Sequence, residues 1–325
     1  METVWKTYGF YTYRVLGVDM RNLLPILTVV AAIMVIWYAA SIGMNKKWTY
    51  DQAGRAGVEV TFTEMVADTW AQDRPVLPAP HQVVAELYRS VFEKKISSKK
   101  SLVFHGWITL SATLLGFVFG TGMGILLAIG IVHNRAMDMG VMPWAIASQT
   151  VPIIAIAPMI VVVMSTIGAT DFLGKDTATA IFGYQPAFMK GVLPKAVIAA
   201  YLSFFPVVVG MVKGLRSPDH MQLDLLKTYN ASKQRTFWSL RLPSSAPYLF
   251  TSLKIGMAAA LVGAIVSELS AVPLRGLGAR MLTGSYYGQT IQIWSALFAA
   301  AALAATLVAS ISWVERRSLK KMGMS

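Results

Sequence analysis

The chain contains no cysteine, which excludes disulfide frameworks and thiolate metal sites. The 4 histidines are scattered and do not have the spacing of a zinc site. Neither a Gly-x-Ser-x-Gly motif nor a convincing Ser/His/Asp set is evident. We therefore predict no catalytic residue, no metal and no cofactor, and we expect that the chain is not itself an enzyme.

Charged residues are scarce, at 14% of 325 residues, whereas soluble domains carry about 25%. Hydrophobic residues make up 55% and the mean hydropathy is +0.54, which indicates an integral membrane protein. A net charge of +13 would suggest nucleic-acid binding in a soluble protein. In a membrane protein it is typical of basic loops that face the cytoplasm and anionic lipid. We expect membrane lipid as a partner, and no nucleic acid.

A complete nucleotide-binding loop is also missing. Gly174 and Lys175 resemble part of a Walker motif, but the motif also needs glycine at position 169 and serine or threonine at position 176. This chain has Ala169 and Asp176 there, so it is not expected to bind ATP. We predict that the surrounding residues 168–192 form an outer loop that contacts a partner.

Long apolar runs dominate the rest of the chain. A spanning helix needs about 20 mainly apolar residues. Six runs meet this requirement, at about 22–43, 102–132, 141–167, 193–214, 247–271 and 291–314. The first 21 residues lack the apolar core of a cleavable signal, so the first run is predicted to span.

Lysine and arginine suggest the orientation, because they favour the cytoplasmic side in short loops. They are frequent before the first run, between the fourth and fifth runs, and after the last. We therefore expect both termini in the cytoplasm. The predicted divisions are a cytoplasmic segment 1–21, a first span 22–43, a periplasmic loop 44–101 with an amphipathic helix near 77–95, a core 102–317 with a cytoplasmic loop 215–246, and a cytoplasmic tail 318–325.

Polar groups within the spans mark candidates for a solute pathway. Ser148, Gln149 and Thr150 precede Pro152 in the third run, where a broken helix is expected to line a path. The alternative is that the hydroxyls only satisfy carbonyls freed by proline. Glu268, near the outer end of the fifth run, is a pathway or gate candidate, with a solvated helix end as the alternative.

Small residues recur every four positions in the second run. Gly116, Gly120 and Gly124 form the centre of this series, which lets another helix backbone approach closely. We expect these glycines at a helix-packing contact.

The polar, basic segment 224–243 separates two apolar runs and has internal order. It begins as a helical turn, Asn230 interrupts it, Ser232 is placed to cap a second helix, and Pro243 is expected to end that helix. Phe237 and Trp238 are expected among exposed apolar groups, which usually indicate a protein partner. The alternative is an amphipathic helix on the membrane surface.

This segment resembles the cytoplasmic coupling loop of permease subunits of binding-protein-dependent ABC importers. The family pattern is Glu-Ala-Ala, three residues, Gly, nine residues, Ile, one residue and Leu-Pro. The spacing is kept throughout, but identity is kept only at the final Leu-Pro. The residues assigned to ATPase coupling on this basis are Asp224, Leu225, Leu226, Asn230, Ala231, Leu240, Leu242 and Pro243. Where the family has glycine in an expected left-handed conformation, Asn230 is the residue that tolerates it next best.

A Leu-Pro-x-Pro stretch before the second run is similar to the nitrate, sulfonate and taurine branch of the family. The resemblance implies an all-α, type I importer permease in the bacterial inner membrane. It also implies a separate ATPase subunit, a periplasmic substrate-binding protein and a second permease copy, identical or related. The alternative is an ion-coupled secondary transporter, which predicts paired charges deep in the spans and an internal repeat. A membrane-embedded enzyme would need clustered His or Asp at the bilayer edge.

Overall fold

The computed structural model describes residues 14–15, 18–96, 98, 100–173, 186–270 and 275–323. Residues 174–185 of the outer loop predicted at 168–192 lie outside these residues, so its contact with a partner remains a prediction. The chain divides into two compact units, Met1–Glu86 and Leu87–Ser325.

The first unit begins with a short antiparallel strand pair, in which Arg14 of β1 (Arg14–Val15) lies opposite Asp19 of β2 (Val18–Asp19). Two helices follow, α1 (Met20–Ala56) and α2 (Phe62–Ala71). With 37 residues, α1 is about 55 Å long, whereas the hydrocarbon core of a bilayer is about 30 Å thick. The helix therefore continues well past the predicted span 22–43 into the predicted loop 44–101.

Buried Asn45 joins α1 to the residues that follow it. Its amide group donates to the backbone oxygens of Thr69 and Leu77, at 3.3 and 2.8 Å. Its side-chain oxygen accepts the backbone N–H groups of Val76 and Leu77, at 2.8 and 3.1 Å. Because every polar atom of this buried amide has a partner, the part of the chain around residues 45–77 is a folded structure and not an open loop.

The second unit is entirely helical in the residues that the structure describes. The helix α3 (Pro80–Tyr88) leads into it through a π-helical turn, Arg89–Glu93. The helices that follow are α4 (Leu102–His133), α5 (Arg135–Ser148), α6 (Ile153–Leu173), α7 (Pro186–Leu215), α8 (His220–Thr228), α9 (Lys233–Thr236), α10 (Leu242–Ser270), α11 (Leu277–Tyr286) and α12 (Thr290–Lys321).

Within the described ranges, 5 helical stretches are long and apolar enough to cross a membrane. They are 24–56, 102–133, 191–215, 233–270 and 290–321. The helices α5 and α6 form a further candidate if they count as one span, bent by 98° at residues 149–152. The predicted all-α fold with about six spanning helices is thus confirmed.

Helices α4, α7 and α10 form the centre of the second unit, because small residues let their backbones approach closely. Gly116, Gly120 and Gly124 of α4 all lie against α7: a Cβ at Gly124 would be 2.9 Å from the backbone oxygen of Phe204. On α10, a Cβ at Gly263 would be 3.0 Å from the backbone of α7. Lipid supplies no hydrophobic driving force between such helices, so this close packing holds them together.

We predict that Gly120→Ala lowers the free energy of unfolding by about 1–3 kcal/mol. A Cβ at this position would lie 2.6 Å from the backbone oxygen of Ala200, which cannot move aside like a flexible side chain. Gly122→Ala is the matched control, because a Cβ there meets nothing within 4 Å and alanine favours the helix. Thermal unfolding of both variants in the same detergent checks this. Equal losses of stability would contradict it.

Candidate functional site: the segment between α7 and α10

The first candidate site is the connecting segment, residues 216–241, which joins two membrane helices. Its first helix, α8, begins with a capping box in which Asp219 and Gln222 satisfy each other's backbone N–H groups. The helix ends at Thr228, and Asn230, two residues further on, has a φ of 52°. Asparagine is among the few residues other than glycine that adopt this left-handed conformation readily.

Asn230 lies at the centre of a Schellman motif. Its N–H donates to the backbone oxygen of Lys227 at 2.8 Å, and the N–H of Ala231 donates to the backbone oxygen of Leu226 at 2.9 Å. This pair of bonds satisfies carbonyls that the end of a helix otherwise leaves free, and it requires the left-handed residue between them. Three of the residues assigned to coupling from the sequence therefore form one turn.

The second half of the segment departs from the prediction at Pro243. Ser232 caps α9 as expected, and its hydroxyl accepts the N–H of Arg235 at 3.2 Å. The helix does not end at Pro243, however. It passes through a π-helical turn, Phe237–Arg241, directly into α10, which starts at Leu242. The N–H of Leu242 bonds to the oxygen of Phe237, so this wider turn lets the chain continue where a proline would clash with a regular α-helix.

Phe237 anchors the segment and is not exposed, contrary to the prediction. It is buried in the core formed by Ala128, Ile131, Phe204, Val208 and Leu215. Its ring also meets the ring of His133 edge-on, with centroids 5.0 Å apart. Leu242 packs against the same core, and Arg241 donates to the backbone oxygen of Leu215 at 3.4 Å. The segment is therefore held against the ends of α4 and α7.

Apolar side chains on the other face of the segment are open to solvent. Met221 is 79% exposed, Tyr229 77%, Trp238 61% and Leu225 57%. Asp224 is exposed beside Leu225 and forms an ion pair with Lys227 at 2.8 Å. The hydrogen bond and charge of Lys227 lower the pKa of the Asp224 carboxyl, so it remains ionised at neutral pH. Leu226 and Leu240 are half-buried.

The predicted pathway residues lie at the sharp bend between α5 and α6. The hydroxyl of Ser148 donates to the oxygen of Ala145 at 2.7 Å, and that of Thr150 donates to the oxygen of Ala147 at 2.8 Å. These bonds satisfy carbonyls at the broken helix end, as the structural alternative expected. Gln149 is half-buried and lies 3.5 Å from the hydroxyl of Ser148. Thr150 and Pro152 are exposed on the surface of the single chain.

Glu268 is buried, so the alternative of a solvated helix end is wrong. Its carboxylate pairs with the ammonium of Lys195 at 3.0 Å and accepts the hydroxyl of Thr109 at 2.9 Å. It also accepts the N–H of Gly278 at 2.8 Å, while the N–H of Leu277 donates to Thr109 at 2.9 Å. This buried cluster joins α4, α7 and α10 to the start of α11.

Two further contacts complete the buried cluster. The N–H of Gly276 donates to Nδ1 of His105 at 3.0 Å, and the ammonium of Lys195 donates to the oxygen of Arg275. Gly276 has a φ of 142°, and a Cβ there would overlap the Glu268 carboxylate. Glycine is therefore required where the chain crosses the carboxylate.

Sequence analysis identified Glu268 but missed Lys195, Thr109 and His105. The sequence did contain a signal for Lys195. Lys195 and Glu268 both lie near the ends of spans, where a charge needs a partner, and their charges have opposite signs. For Thr109 and His105 there was no such signal. Their role depends on how α4 packs against α11.

The helical fold, the five or six candidate spans and an ordered segment outside the membrane helices together define a multi-span membrane protein. Residues 120–323 match the family of the binding-protein-dependent transport system inner membrane component, and the chain belongs to this family. Members of this family are the permease components of ABC importers, whose ATPase is a separate subunit. These importers also work with a substrate-binding protein.

Several relatives support the assignment. A probable ABC transporter permease of Haemophilus influenzae is 27% identical over 261 residues, which cover 80% of this chain and 93% of that protein. A formylaminopyrimidine transport permease of Halalkalibacterium halodurans is 30% identical, over 59% of this chain and 65% of that protein. A putative aliphatic sulfonates transport permease of Bacillus subtilis is 20% identical, over 81% and 84%. The predicted family and branch are confirmed, and the relatives do not favour a secondary transporter, although the buried pair of Lys195 and Glu268 is of the kind that this alternative predicts.

We predict that Lys195→Met lowers the free energy of unfolding by about 3–5 kcal/mol, because it leaves the Glu268 carboxylate buried without its counter-charge. The double variant Lys195→Met/Glu268→Gln is expected to recover most of this loss. A double-mutant cycle from unfolding in detergent measures the coupling. If the two single losses simply add in the double variant, Lys195 and Glu268 are not energetically coupled and the prediction is wrong.

Proposed function

We propose that the connecting segment docks the ATPase subunit of the importer. The observation that supports this proposal most directly is that the two faces of the connecting segment lie in different environments. One face is fixed to the membrane core by Phe237, and the other presents Leu225, Tyr229 and Trp238 to solvent. Exposed apolar side chains on an ordered segment are typical of a protein contact. Their positions coincide with the coupling loop that the family spacing predicts.

Coupling in this arrangement is mechanical. When the ATPase subunits bind ATP and close, two docked segments move together, and the helices attached to them tilt between inward-facing and outward-facing states. Nucleotide shifts such an equilibrium only if the partner contacts differ between the two states. Phe237 is packed among side chains of α4 and α7, and this contact provides the connection through which the movement reaches the membrane helices.

This function requires the connecting segment in the cytoplasm, and therefore both termini there as well. The C-terminal end of α12 carries Arg316, Arg317, Lys320 and Lys321, in keeping with the positive-inside rule. We propose accordingly that 1–21, 215–246 and 318–325 are cytoplasmic and that 44–101, after the first span 22–43, is periplasmic. The solute-carrying core is 102–317.

We further propose that a second permease copy covers the bend between α5 and α6 and that the solute passes between the two copies. Thr150 and Pro152 are exposed at the bend, although they lie at membrane depth in the sequence pattern. Broken helices at this depth persist where they line a cavity or contact protein. Gln149 offers its amide to a solute there. Glu268 does not contact the solute in this proposal, because its carboxylate is completely enclosed by protein groups. It instead holds α4, α7 and α10 in position against the start of α11.

The solute we propose is a small organic or inorganic compound delivered by the periplasmic binding protein. Relatives named for a formylaminopyrimidine and for aliphatic sulfonates support a small solute. Specificity is then set mainly in the binding protein.

Asp224→Arg and Leu225→Asp are predicted to leave membrane insertion intact but to reduce solute-stimulated ATPase activity of the assembled importer at least tenfold. Both side chains are exposed, so these changes alter the contact surface without affecting the core. Leu226 is a less suitable position, because its side chain is half-buried.

Asp51→Arg, also at an exposed aspartate, controls for the change in charge. Leu225→Met controls for substitution at the docking position. Normal coupling in both Asp224→Arg and Leu225→Asp would refute the docking assignment while leaving the membership of the family unaffected.

A further inference from the structure

An open groove of about 940 Å³ lies where the π-helical turn Arg89–Glu93 approaches the first turns of α4. Its apolar lining includes Phe92, Ile96, Val103 and Trp107, and its charged lining includes Lys94 and Lys95. The groove is separate from the connecting segment, which lies at the opposite ends of the membrane helices.

The apolar wall of the groove follows a membrane-spanning helix. Phe92 is 73% exposed, Ile96 69% and Trp107 64%. Trp107 lies five residues into α4, about 8 Å along the helix from its start at Leu102. Because α4 is a candidate span, Trp107 lies near one of its ends, in keeping with the preference of tryptophan for the boundary between headgroups and acyl chains.

The charges of the groove lie at its other end, before α4 begins. The ammonium of Lys94 donates to the hydroxyl of Ser90 at 3.2 Å, which holds this half-buried side chain in place. Lys95 is exposed beside it. Glu93 also lines the groove, so the lysine pair exceeds the acidic charge by one. Positive charge at the water side and apolar surface at the membrane side match an anionic amphiphile.

We propose that this groove binds one anionic phospholipid. Its phosphate pairs with Lys94 and Lys95, and an acyl chain lies along Phe92, Val103 and Trp107. In the orientation proposed above, the lipid belongs to the outer leaflet.

Binding here would stabilise the outer end of the permease core. Leu87 and Val91 pack against the core cluster that contains Leu102 of α4 and Leu277 of α11, and Val91 also lines the groove. Leu277 is also a member of the buried cluster around Glu268, through its N–H bond to Thr109. A lipid that holds the π-helical turn against α4 therefore supports the elements that enclose the ion pair.

The test uses the assembled importer in phosphatidylcholine nanodiscs that contain traces of either photoactivatable phosphatidylglycerol or photoactivatable phosphatidylcholine. Cross-linked peptides are mapped by mass spectrometry. We expect phosphatidylglycerol to label residues 92–107 several-fold more than phosphatidylcholine does. Each lysine near a membrane contributes roughly a five-fold preference for anionic lipid. The variant Lys94→Glu/Lys95→Glu should therefore reduce the label about tenfold or more.

Lys46→Glu/Lys47→Glu is the matched control, since it makes the same charge change at an exposed lysine pair outside the groove. Its labelling at 92–107 should equal that of the wild type. Equal labelling by the two lipids, or labelling unaffected by Lys94→Glu/Lys95→Glu, would overturn the proposal. A photoreactive amino acid at position 96 that captures another protein subunit in place of lipid would also overturn it.

Discussion

The close approach of helix backbones at small residues is the constraint on which the rest of the permease core depends. Glycines of α4 and α10 bring both helices onto the backbone of α7, and a Cβ at Gly120 would lie only 2.6 Å from the backbone oxygen of Ala200. The three helices are therefore packed directly against one another. The buried cluster around Glu268 lies at one end of these helices, and the core in which Phe237 is buried lies at the other end.

In the proposed coupling, this arrangement carries a movement of the connecting segment to the membrane helices. Phe237 packs among side chains of α4 and α7, and α10 continues from the same segment without a break. A force on the exposed face thus acts on all three packed helices. At the far end, Lys195 and Glu268 hold the start of α11 on the same helices. The outer elements follow the movement because a buried ion pair is costly to separate.

Features that depend on local patterns could be predicted from the sequence. Hydropathy located the spans, the four-residue spacing predicted the glycine contact, and the position of Asn230 in the family spacing anticipated its left-handed conformation. Features that depend on three-dimensional packing could not. A π-helical turn allowed the helix to pass Pro243, and the partner of Glu268 lies 73 residues away on another helix. Phe237 and Trp238 are adjacent in sequence, and only packing decides which is buried.

In the proposed importer, the exposed face of the connecting segment touches the ATPase, and this contact can be measured. It is tested most directly by cross-linking from single cysteines, because the chain has none of its own. Cysteine at position 225 or 229 should cross-link to the ATPase subunit in the assembled importer. Cysteine at position 262, which is exposed on the apolar span of α10, should not. If the ATPase copurifies but cross-links from neither 225 nor 229, the docking surface lies elsewhere and the account of coupling is wrong.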